Sequence, residues 1–158
     1  MTSLEFALTA HSTLRLLLAA VCAWLFLLGL RGWSGKSGTS PLVKLLMLLA
    51  TIAADLQLIL GLLLYFVWSP VASQARTDFG AAMKDPTLRF WAVEHGASML
   101  LAIACVHLGK VSAGKAKSDA SRHRRIALFF GLAIALILAM SPWPFSSIVR
   151  PLWRLGTP

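Results

Sequence analysis

Charge is what this chain has least of. Only 13% of its 158 residues are Asp, Glu, Lys or Arg, about half the share of a water-soluble domain. With 58% hydrophobic residues, the composition excludes a soluble globular fold and indicates a small protein that crosses the lipid bilayer several times. Acids are scarcer still, six against 15 Lys and Arg. The excess of positive charge lies beside the apolar runs with no interleaved aromatic platform, which argues against nucleic-acid binding and for attraction to anionic lipid. There are two cysteines, Cys22 and Cys105. Both fall inside apolar runs and outside any CxxC pair, so they read as small core residues, not as disulfide or metal ligands.

What the chain does have is length of apolar sequence. A spanning helix needs about 20 mostly apolar residues, and four stretches come close: Phe6 to Leu30, Leu42 to Trp68, Phe90 to Leu108, and Ile126 to Met140. The fourth is short, with Arg125 placed to snorkel at one end and Trp143 to sit among headgroups at the other. The expected fold is all-α, a single transmembrane domain forming an up-down four-helix bundle. Its helices should cover about 6–30, 42–68, 87–109 and 125–141, followed by a tail over 142–158. Pro41 should open the second helix, Ser69-Pro70 close it, and Asp85 cap a turn beginning at Pro86. Leu16 to Leu28 has the look of a signal-peptide core, but Glu5 stands where basic residues would be. No small-residue cleavage site follows before Arg31, so the segment reads as a retained helix. Gly35-Lys36-Ser37 lacks the leading glycine of a phosphate-binding loop, and the stretch from Gly32 to Ser40 reads as a flexible turn.

The lysines and arginines set an orientation. Arg31, Lys36 and Lys44 flank the first connection, and Lys110, Lys115, Lys117, Arg122, Arg124 and Arg125 crowd the third. In the second, Asp78 and Asp85 offset Arg76, Lys84 and Arg89. The basic connections belong in the cytoplasm. This expectation places the protein in a bacterial inner membrane, multi-pass, with both termini and the tail, including Arg150, Trp153 and Arg154, on the periplasmic side.

Ionisable residues inside spans are costly and mark a functional interior. They are His11 and Arg15 in the first span, Asp55 in the second, and Glu94 and His95 in the third. On a 1.5 Å rise, His11 and His95 each lie roughly 7 Å inside the outer end of their helices. In an up-down bundle the first and third helices stand diagonally across from each other. Two imidazoles at one level on diagonal helices suit axial ligation of the iron of a b haem. Arg15, one turn from His11, has two roles open to it: binding a haem propionate or quinone oxygen, or pairing with Asp55 near the midplane. Glu94 points about 100° away from its neighbour His95 and so is better placed to serve His11, Arg15 or a proton path. Asp55, Gln57, Glu94 and Ser98 are expected to form a buried polar network with these groups. Gly96, Ala97, Ser98 and Ala102 make the third helix slim, either for close helix approach or to leave room for a flat ring. His107 lies about 18 Å deeper than His95, too far to share a metal with it. It reads as a helix-terminal residue, and His123 as part of the basic connection.

Several runs in order, Ala10-His11-Ser12, Asp55 to Phe66, Met83 to Phe90, Val93-Glu94-His95, Ile126 to Phe130 and Pro142-Trp143, resemble the small four-span bacterial inner-membrane proteins often labelled "cytochrome B". The resemblance covers nearly the whole chain. It implies a haem-binding electron carrier of the inner membrane; the residue reading adds His11 and His95 as ligands, Arg15 beside the cofactor, and a quinone or a larger membrane complex as partner. The chain departs from that family at Asp55-Leu56-Gln57-Leu58, where a histidine tends to precede the glutamine. A second reading is a non-redox protein, a structural subunit or a proton-linked carrier, in which the Arg, Asp, Glu and His residues hold the bundle or relay protons.

Overall fold

The computed structural model describes residues 2–34, 38, 40–146 and 148. Lys36 and most of the connection around it, and Arg150, Trp153 and Arg154 of the tail, lie outside the described residues. All regular structure among the described residues is helical. Among the described residues, four helices are long and apolar enough to cross a membrane: Ser3–Trp33, Pro41–Trp68, Pro86–Gly114 and Asp119–Met140.

Helix α1 (Ser3–Trp33) begins on a capping box. Thr2 Oγ1 accepts from the Glu5 amide at 3.2 Å, and Glu5 returns a carboxylate to the Thr2 amide at 2.7 Å, satisfying two donors that the first turn leaves open. Helix α2 (Pro41–Leu63) opens as expected, with Pro41 in its first turn and the Ser40 side chain accepting from Val43. It continues into a π-helical turn, Leu64–Trp68, and ends at Ser69. The next connection is helical in short pieces: α3 (Pro70–Thr77), α4 (Phe79–Ala82) and α5 (Pro86–Arg89). Asp85 caps α5, its Oδ1 accepting from Leu88 N at 2.8 Å. A second π-helical turn, Phe90–Glu94, leads into α6 (His95–Gly114).

Helix α7 (Asp119–Met140) starts six residues before its expected position at 125. The apolar run does not set its start; Ser118 does, by capping the Ser121 amide. Arg122 and Arg125 then donate to the carbonyls of Ala113 and Ser112, which close α6. Those cations meet the negative end of α6. His123 is thereby drawn out of the expected connection and into the bundle, only 2% exposed.

The long helices form a ring in which α1 packs on α2 and α7, and α6 also packs on α2 and α7. Helices α1 and α6 therefore face each other across it. One apolar core joins all four, built from residues such as Leu18, Cys22, Leu25, Met47, Val106 and Phe130. Cys22 is buried and Cys105 partly so, both free, as expected of small packing residues. Helices α1 and α7 approach so closely at Gly29 that a Cβ there would fall 2.5 Å from the Ala127 nitrogen. Gly32 gives the same kind of room to the His123 ring, 2.2 Å from where a Cβ would stand.

Candidate functional site

Two π-helical turns lie next to each other at the end of the bundle that carries His11 and His95. A π turn widens the helix and shifts the phase of the residues after it, and such turns gather at functional sites. Here the carbonyls they expose are taken up by side chains. Tyr65 Oη donates to Ala92 O at 3.1 Å, tying the first turn to the second. The Arg76 guanidinium bonds Tyr65 O and Phe66 O and lies 5.0 Å from the Tyr65 ring centre.

The shift delivers His95 to the interior as the first residue of α6. Its Nδ1 is 2.8 Å from Met140 O, the last residue of α7. A carbonyl only accepts, so Nδ1 carries a proton, and in the neutral ring Nε2 keeps its lone pair. Phe90 and Trp91 wall the ring, their centres 5.6 and 5.5 Å from it. His11, on α1 across the ring of helices, places its imidazole centre 6.4 Å from that of His95, with the two planes inclined at 66°. His11 Nδ1 is buried without a hydrogen-bond partner among the described residues.

Both imidazoles line a cavity of about 610 Å³ between α1, α2 and α6. Gly61 on α2 keeps it open beside His11, since a Cβ there would already touch His11 Cε1 at 3.5 Å. Gln57 turns inward to the same cavity, its Oε1 buried and without a hydrogen-bond partner among the described residues. Arg15 lines it one turn along α1 from His11, 6% exposed. Its guanidinium donates to Pro142 O at 3.4 Å and lies 4.8 Å from the Trp143 ring centre. The cavity lining holds a cation and two imidazoles and, among the described residues, no carboxylate.

The expected buried network thus divides. His11, His95, Arg15 and Gln57 share the cavity. Asp55 does not pair with Arg15: its Oδ1 is 2.8 Å from His107 Nε2, on a face where both side chains are about half uncovered. Glu94 serves neither His11 nor Arg15, because the π turn swings it to Arg89, at 2.7 Å. Ser98 is partly buried on α6 and stands outside the cavity lining. His107, read from sequence as a helix-terminal residue, is the partner of Asp55. His123 is a core residue, both ring nitrogens buried without a hydrogen-bond partner among the described residues.

Sequence reasoning missed Tyr65, Gly61, Trp143 and the Met140 carbonyl. Gly61 and the lone tyrosine left a trace, as the residues least suited to a lipid-facing helix run. Met140 acts through its backbone and left none. Compared with known protein families, curated sequences and solved structures, the chain shows no significant match to any.

Proposed function

We propose that this protein is a b-type cytochrome of the bacterial inner membrane, holding one haem between His11 and His95 and passing electrons to or from a membrane quinone. The observation that carries the reading is the pair of imidazoles. Two metal–nitrogen bonds of about 2 Å, plus roughly 1 Å from each nitrogen to its ring centre, require ring centres about 6 Å apart. The rings of His11 and His95 stand 6.4 Å apart, and both line a cavity of about 610 Å³, within the size range of sites for cofactor-sized ligands.

The supporting groups agree. Histidines that ligate a metal generally donate their other ring proton to a carbonyl or carboxylate, as His95 does to Met140 O. The buried Nδ1 of His11 is a polar atom left for a ligand to satisfy. Arg15 is placed to bind a propionate in a lining that has no other full-time cation among the described residues. Leu8, Leu58 and Leu62 add apolar side chains to the lining. The haem, when bound, supplies one-electron transfer; the chain supplies two imidazoles, a counter-cation and an apolar wall. Leu62, Phe66 and Leu100 line the cavity and are also exposed on the outside of the bundle, so the cavity reaches the bundle surface. The positively charged connections, placed in the cytoplasm, put this site near the periplasmic face.

The test is a reduced-minus-oxidised absorbance spectrum of protein purified from cells supplied with haem precursor. Sharp α and Soret bands at one haem per chain support the reading; a folded, colourless protein that also takes up no added haemin rejects it. Arg15→Leu should retain the bands but lower the midpoint potential in a redox titration. Removing a cation disfavours the more negative, reduced state, by on the order of 50 to 100 mV for a charge within several ångströms at intermediate dielectric. An unchanged potential would remove Arg15 from the site.

A further inference from the structure

Asp55 stands at the centre of the Pro41–Trp68 span and is the only charged residue between Leu45 and Arg76. Its carboxylate and the His107 imidazole, 2.8 Å apart, are 51% and 43% uncovered, and neither belongs to the cavity lining. Around them the outward face is apolar: Leu48, Ile52, Ile59 and Leu62 on α2, Leu108 and Val111 on α6. An acid and an imidazole within apolar spans therefore face outward from the bundle. Ionisable groups inside membranes are otherwise found facing protein or water, because lipid tails offer no hydrogen-bond partners. This face is built to be covered by protein.

Its charge pattern identifies the cover. Two side chains 2.8 Å apart lie at one depth, so a two-fold axis along the bundle and beside them brings each opposite its own complement in a second copy. Asp55 then meets His107 of the other chain, and His107 meets Asp55, which is the self-complementary condition of an isologous interface. Within one chain the two already bond to each other, so a cover that matches them offers an acceptor and an imidazole side by side, as a second copy does. The helices also agree in how little of them is covered. In α2 and α6 only 22% of the apolar span is buried, against 33% in α1 and α7. We infer that the protein is a homodimer whose copies dock through the α2–α6 face, with Asp55 of each copy meeting His107 of the other. A polar contact at the centre of an apolar helix interface also sets register. This inference does not rest on the haem reading.

Cysteine cross-linking of the full chain in lipid membranes tests it, in a background carrying Cys22→Ala and Cys105→Ala. Single cysteines at Ile52, Ile59 and Leu108 should give an oxidised product at twice the 17.1 kDa chain mass. The yield should be at least roughly tenfold above that from cysteines at Leu17, Trp24 or Leu132, exposed on α1 and α7. Adding Asp55→Leu and His107→Leu together should cut the α2–α6 product at least roughly fivefold, with helical circular dichroism unchanged. Product concentrated at the α1 or α7 positions, no product at any α2 or α6 position, or a product of another mass containing a different protein overturns the proposal. So does an undiminished yield in the double variant. Should the double variant fail to fold, the position scan decides alone.

Discussion

If the proposed haem is bound, His11→Ala and His95→Ala are each expected to abolish its spectrum. On that proposal, either imidazole alone would leave the iron one protein ligand. Weakening merely the groups behind a metal-binding histidine costs about 10- to 100-fold in affinity, so deleting the histidine itself is expected to cost at least roughly 100-fold. His107→Ala is the control. It removes an imidazole of the same chemistry from outside the cavity, and it should leave the α and Soret bands at full height. Each variant is purified with haem supplied and its pyridine haemochrome measured against protein. Equal haem content in His11→Ala and the parent would break the assignment, as would loss of haem in a folded His107→Ala.

Gly29→Ala should loosen the bundle between α1 and α7. The added Cβ would stand 2.5 Å from Ala127 N and 2.8 Å from Ala127 Cα. Those atoms are backbone and have no rotamer to change, so α1 and α7 must part. Their separation loosens a seam packed by Leu25, Ile126 and Phe130, all fully buried. Overpacking costs typically about 1–3 kcal/mol, and a clash with helix backbone belongs at the upper end, about 3 kcal/mol. Thermal or denaturant unfolding of the detergent-solubilised protein measures it. Stability within about 0.5 kcal/mol of the parent, the range of a surface substitution, would mean that the two helices are not this close.

Hydropathy alone yields four spans because lipid admits few solutions, and the structure has four helices of that kind. Depth is legible too. A fixed rise per residue puts His11 and His95 at one level, and their rings stand 6.4 Å apart. What the sequence hides is azimuth. Asp55 and Gln57 are two residues apart, about 200° around a helix, so the glutamine faces the cavity while the acid faces out to His107. Depth places Asp55 near Arg15; rotation separates them. Glu94 is lost to sequence reasoning for a related reason. The π turn changes the phase that ordinary helical counting assumes, and Glu94 lands on Arg89. His123 reads as part of a basic connection because charge patterning does not register that Gly32 leaves space for an imidazole ring.

The central claim is that His11 and His95 face one iron. Low-temperature electron paramagnetic resonance of the oxidised, haem-loaded protein in lipid nanodiscs addresses it most directly, because the signal reports what lies on both sides of the metal. Two imidazoles predict a low-spin ferric signal, one per chain, that turns high-spin or vanishes in His11→Ala and in His95→Ala. A high-spin signal in the parent protein, or a low-spin signal that survives either substitution, would contradict it.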